Sequence, residues 1–184
     1  MAEINTDSYT IRYATEHDVP EILRMVQELA SYERALHEVL ATEQKLFDTL
    51  SFPTSADESV RNKPGAAKTL LVSPADAKTE VAGMALFFNN YSTWLAKPGI
   101  YLEDLFVRPQ YRKKGFGKAL LQALARECVE CDYGRLEWSV LRWNKPSIDF
   151  YESETIGAVS NREEWEGMRV TGDALVKLAG SAKV

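Results

Sequence analysis

The sequence predicts a single mixed α/β domain, an α+β sheet with helices on both faces. Three observations carry this expectation. Residues 9–14 alternate polar and apolar with β-branched members, and apolar strand-like runs recur at 69–73, 81–91, 101–107 and 135–140. Apolar residues fall at helical spacing at Val19, Ile22, Leu23, Val26, Leu29 and Ala30, and every fourth residue at Phe116, Leu120, Leu124 and Cys128. At 184 residues the chain has length for one sizeable core, and it shows no internal repeat.

In chain order, the strand at 9–14 runs into Thr15 and Asp18, a helix-start pattern that tolerates Pro20 in the first turn. A second short helix is expected over 42–50. Residues 51–68 break the pattern with Pro53, Ser55, Asp57, Glu58, Asn62, Pro64 and Gly65, a polar loop insertion expected to be too polar to pack. The runs at 69–73 and 81–91 form a hairpin with Gly83 as the expected bulge. After the strand at 135–140, Trp143-Asn144-Lys145-Pro146 marks a turn into a helix carrying Ile148, Phe150 and Tyr151, with Gly157 as its expected end. Residues 158–161 and 168–171 read as a last hairpin, and 172–178 as a terminal helix.

Composition narrows the function. The chain is 45% hydrophobic and 27% charged, as soluble globular proteins are, with a net charge of −5. That balance argues against a nucleic-acid partner and leaves room for a cationic substrate. No apolar run approaches a signal peptide or a membrane span, so no membrane partner and a cytoplasmic location are expected. Cys128 and Cys131, the only cysteines, lie together in the long helix without a nearby His. One C-x-x-C pair does not complete a tetrahedral zinc site, so no metal is expected. His17 and His37 read as surface residues.

The most informative stretch is 101–121, YLEDLFVRPQYRKKGFGKALL. A strand bearing Glu103 and Asp104 leads through a basic turn into a helix opened by Gly115, Phe116 and Gly117. Unpaired N–H groups at that helix start, with the helix dipole behind them, make an anion site. In this setting Arg112-Lys113-Lys114-Gly115-Phe116-Gly117, an R-x-x-G-x-G, resembles the pyrophosphate loop of the GCN5-related N-acetyltransferase (GNAT) superfamily. Ile11-Arg12-Tyr13-Ala14-Thr15, residues 28–33 (ELASYE) and the turn and helix at 143–151 (WNKPSIDFY) extend the resemblance over nearly the whole chain. Within the superfamily the chain is similar to the diamine (spermidine/spermine) acetyltransferases and their thialysine-acetylating relatives.

The resemblance implies the GNAT acyl-CoA N-acyltransferase fold, acetyl-CoA as co-substrate, a homodimer and acetyl transfer to a small cationic amine, polyamine or lysine-like. It implies that the backbone of Leu105, Phe106 and Val107 pairs with the pantetheine arm. Arg112, Lys113, Lys114, Gly115, Phe116, Gly117 and Lys118 would hold the pyrophosphate, with Asn144, Pro146 and Ser147 on the coenzyme's other side. Tyr32, Glu33, Asp104, Glu163, Trp94 and Trp165 would line the amine site. The chain departs from the diamine enzymes in carrying Ser92 where they have an acid, and Glu163-Glu164-Trp165 where they have Glu-Gly-Trp.

Chemistry assigns two further roles. An alkylammonium with a pKa near 10 attacks only after losing a proton, and Glu103 is the expected acceptor, through ordered water. The leaving thiolate gains from a proton donor, expected to be Tyr151. Protein or peptide lysine, N-terminal and amino-sugar acetylation, or a non-catalytic acetyl-CoA sensor, stay open as alternatives.

Overall fold

The computed structural model describes residues 3–160 and 168–180. The chain divides into two compact units, Met1–Ser139 and Val140–Val184.

The first unit is built on six strands in sequential order, β1 (Ile4–Asn5), β2 (Tyr9–Tyr13), β3 (Lys68–Pro74), β4 (Gly83–Ser92), β5 (Lys97–Val107) and β6 (Leu136–Trp138). Neighbours are antiparallel except β5 and β6, which run parallel and pair only from Ile100–Leu136 to Leu102–Trp138. Helix α1 (Val19–Tyr32) starts where the sequence places it. The Asp18 carboxylate accepts hydrogen bonds from the N–H and hydroxyl of Thr15, at 2.8 and 3.0 Å, and Pro20 sits in the first turn. It buries Val19, Ile22 and Met25 against Leu71, Met84, Leu86 and Phe106 on one face of the sheet. Helix α2 (Glu43–Thr49), capped by Thr42, lies on that face too. The other face is covered by the fifteen-residue Phe116–Glu130 helix, which buries Phe116, Leu120, Leu124 and Cys128 as its spacing requires. Inside it Glu127 accepts a 2.5 Å hydrogen bond from the Tyr13 hydroxyl, so this buried carboxylate has a partner.

Several sequence expectations are corrected. The 51–68 insertion does pack: Phe52 is 1% exposed and stacks on Phe47, Ser55 is buried, and Asp57 caps a short helix, α3 (Glu58–Arg61). Its many polar residues hide one aromatic anchor. The Phe116–Glu130 helix is therefore α4, and Cys131 caps it instead of lying inside it. Gly83 is in regular register with Val72 and Val107. It is needed because a Cβ there would strike the Phe106 carbonyl. The true bulge is on β5, where Leu86 faces Asp104, Phe87 faces Leu102, and Glu103 is the extra residue.

In the second unit, helices α5 (Lys145–Tyr151) and α6 (Gly172–Leu178) are present. The expected last hairpin is not formed by residues 158–160 and 168–171; its Asn161 lies outside the described residues. Nor does Gly157 end α5. That helix stops at Tyr151, where the Ser153 hydroxyl takes the Phe150 carbonyl at 2.6 Å, and Gly157 closes a later turn.

Candidate functional site

The bulge decides which way the acids point. Residues paired across a sheet share a face, so Leu102 lies with Phe87 on the α4 face, and Asp104 lies with Leu86 on the α1 face. Glu103, following Leu102, also turns to the α1 face. Two consecutive carboxylates therefore project from one side, where an unbulged strand would send one to each. Glu103 is exposed and Asp104 half-buried. Burial, reinforced by the charges of Glu103 and of Glu33 at the end of α1, pushes the Asp104 carboxyl up to about 6. Burial also raises the Glu33 carboxyl. Glu33, Glu103 and Asp104 are thus brought together, as expected of an amine site.

The same strand offers an open edge. Beyond Leu102 β6 leaves β5, and from Glu103 to Val107 the β6-side edge has no strand partner among the described residues. Leu105, Phe106 and Val107 lie along it. The chain then passes through Arg112, Lys113 and Lys114 to Gly115, which precedes α4 with φ +83°, a conformation that favours glycine. The first intrahelical bond runs from the Ala119 N–H to the Gly115 carbonyl, which leaves the amides of Phe116, Gly117 and Lys118 ahead of it. No acid lies in this first turn, and Lys118 does. A polyanion fits that donor set.

Between α1 and the end of β5 lies a cleft of about 780 Å³, lined by Gln27, Glu28, Tyr32, Leu36, Phe106 and Arg112 among others. Its wall is held by a network the sequence reading missed. Arg108 donates to Glu28 at 2.8 Å, to Glu21 at 2.5 Å and to the Val81 carbonyl at 3.0 Å. The only sequence signal was the placement of Glu21 and Glu28 on one helical face. Arg112 lies differently: its guanidinium is 5.3 Å from the Tyr32 ring centre and 6.0 Å from that of Phe106, and its Nε donates to the Val107 carbonyl at 2.9 Å.

Not every expected residue joins this group. Trp94 sits at the tip of the β4–β5 hairpin, 88% exposed. Asp104 is about 23 Å away along β5. Glu163 and Trp165 lie outside the described residues. In the second unit the Asn144 carbonyl accepts from the N–H groups of Ser147 and Ile148, Pro146 occupies the first turn, and Tyr151 is the last residue of α5. Among the described residues no group of three or more His, Cys, Asp or Glu side chains is arranged to hold a metal ion, and no helix is long and apolar enough to cross a membrane.

Known proteins agree with this geometry. The acetyltransferase (GNAT) family model matches residues 29–155. The chain is 38% identical to an L-ornithine N5-acetyltransferase of Arabidopsis thaliana, covering 90% of this chain and 85% of that protein. It is 33% identical to a thialysine N-epsilon-acetyltransferase of Sus scrofa, covering 94% and 98%. Among solved structures, an integron cassette protein from the mobile metagenome of V. cholerae superposes with a TM-score of 0.71 at 25% identity, covering 96% of this chain and all of that one. The chain belongs to the GNAT family and is an N-acetyltransferase, transferring acetyl to an amine.

Proposed function

We propose that the protein transfers acetyl from acetyl-CoA to the primary amine of a small cationic substrate, polyamine or lysine-like, by direct attack in a ternary complex. The single observation that carries this is the acid doublet Glu103–Asp104 on one face of a strand whose neighbouring edge is open. Acetyl-CoA would supply the activated acetyl group as its thioester. The open edge at Leu105, Phe106 and Val107 would pair with the pantetheine amides, and the amides of Lys113 to Lys118 would receive the diphosphate. Asn144, Pro146 and Ser147 would contact the coenzyme from the second unit.

The carboxylates divide the proton work. Exposed Glu103 attracts the ammonium and connects it to solvent. Asp104, raised to about 6, is tuned close to neutral pH, as a general base is, and takes the amine's proton directly or through water. A backbone N–H of the 105–107 stretch donates to the acetyl oxygen as charge builds on it. Tyr151 donates to the departing sulfur. Similarity to enzymes named for ornithine and thialysine supports a lysine-like acceptor. A homodimer would cover the exposed Tyr91, Trp94 and Leu95, and a cytoplasmic, metal-free enzyme completes the proposal.

The test is thiol release from acetyl-CoA with a panel of diamines, basic amino acids, a lysine peptide and glucosamine. Turnover is expected with the small diamines or amino acids. Coenzyme binding without thiol release from any of them would identify a sensor instead.

A further inference from the structure

The α1-face cleft has two electrostatic poles. At one stand Glu33, Glu103 and Asp104, with no described cation paired to them. At the other stands Arg112, and among the described residues no carboxylate pairs with it. The cleft's other charges are matched. Glu28 accepts three contacts from Arg108, two to its Nε and one to its Nη2, and Arg24 is bonded to Glu21. Arg112 is held flat by its position over the Tyr32 and Phe106 rings and by its bond to the Val107 carbonyl, which leaves its remaining donors for a ligand.

The spacing of the poles is set by the backbone. Asp104 and Phe106 lie two residues apart on the same face of β5, and Glu33 directly follows Tyr32. Two residues of strand rise roughly 6.6 Å, close to the roughly 6 Å that an extended four-carbon amine chain spans. A molecule with an ammonium at one end and a carboxylate at the other therefore satisfies both poles at once. A diamine satisfies only the acidic one and sets its second cation against Arg112.

Resting on the amine-acetyltransferase reading above, we propose that Arg112 is the specificity-determining residue of the acceptor site. Its guanidinium receives an α-carboxylate, so that the preferred substrate is a basic amino acid over the corresponding diamine. No covalent change at Arg112 is involved.

The test compares ornithine with 1,4-diaminobutane, the same chain without the carboxylate, in wild-type protein and in Arg112→Gln. Wild type is expected to favour ornithine in kcat/KM by about ten-fold or more, the size of one charge-assisted hydrogen bond. In Arg112→Gln that ratio falls towards one, and Arg112→Lys restores part of it. Any loss of coenzyme affinity lowers both rates together and cancels in the ratio. An unchanged ratio, with both rates falling and acetyl-CoA binding weakened, would give Arg112 to the diphosphate and overturn the proposal. A second arm needs no variant: lysinamide, lacking the carboxylate charge, should show a KM about ten-fold above that of lysine. Equal values for the two would overturn the proposal as well. Absence of thiol release with every amine would remove the parent reading, a result distinct from turnover without discrimination.

Discussion

The two ends of α1 treat charge in opposite ways. In its first half every carboxylate is matched: Asp18 with Arg12 at 2.7 Å, Glu21 with Arg24 and Arg108, Glu28 with Arg108. At its far end Glu33 meets Glu103 and Asp104, and the three like charges raise one another's cost. Matched charges fasten the helix to the end of β5. Unmatched ones hold free energy that only a cationic ligand, or a proton, releases. One helix thus separates holding from acting along its length.

The largest expected effect is at the unmatched end. Asp104→Asn should lower kcat/KM about 100-fold or more if the carboxylate takes the proton. The same change should stabilise the fold at pH 8. Because the folded carboxyl is raised, stability is fully present below its unfolded value of 3.8 and is lost as pH rises to about 6. The penalty is at most roughly 3 kcal/mol above that range, so the gain in Tm should vanish by pH 4. A variant that loses activity without that pH-dependent gain would show that the acids are not in conflict.

Arg108→Ala attacks the matched end. Removing it strands Glu21 and Glu28 and should cost about 3 kcal/mol, or a Tm lower by about 6–12 °C. Burial works to raise the Glu21 carboxyl, but hydrogen bonds from Arg24 and Arg108 outweigh it and hold it below the ordinary range. That stabilisation is present above the unfolded value of 4.5 and is lost as pH falls through the lower folded one, so the gap between wild type and variant should narrow in acid. A constant gap from pH 7 to pH 3 would remove the ionic account.

Tyr151→Phe tests the proton donor independently of both ends. About ten-fold lower kcat with unchanged acetyl-CoA affinity is expected, and an unaltered kcat would exclude the acid role. The smallest effect is expected from Glu33→Gln: a KM about three-fold higher for the amine, and an Asp104-dependent pH profile displaced to lower pH as one like charge is removed. A profile that stays in place would separate Glu33 from the acid group.

Much of this was legible in the sequence, because the readable features are local. The strand at 101–107, the basic turn and the helix from Phe116 each rest on a short run of residues, and the structure places them in that order. The bulge escaped because an extra residue within an apolar run leaves no mark in composition, and only pairing with β4 exposes it. The Arg108 network escaped because its partners lie 80 and 87 residues away in the chain. Phe52 escaped because a window average over a polar insertion dilutes one aromatic. Arg112 was legible as a cation beside the coenzyme loop, whereas its stacking on Tyr32 needed the tertiary structure.

The surplus residue in β5 has a further consequence. Leu102 and Asp104 keep their cross-strand partners whether or not something stands between them. Excising Glu103 would therefore shorten the strand to an even pleat without turning any leucine or phenylalanine outward. The doublet is modular in that sense: lineages of this fold gain or drop an acid at the reaction cleft by a single codon, with the hydrophobic interior left in step on either side.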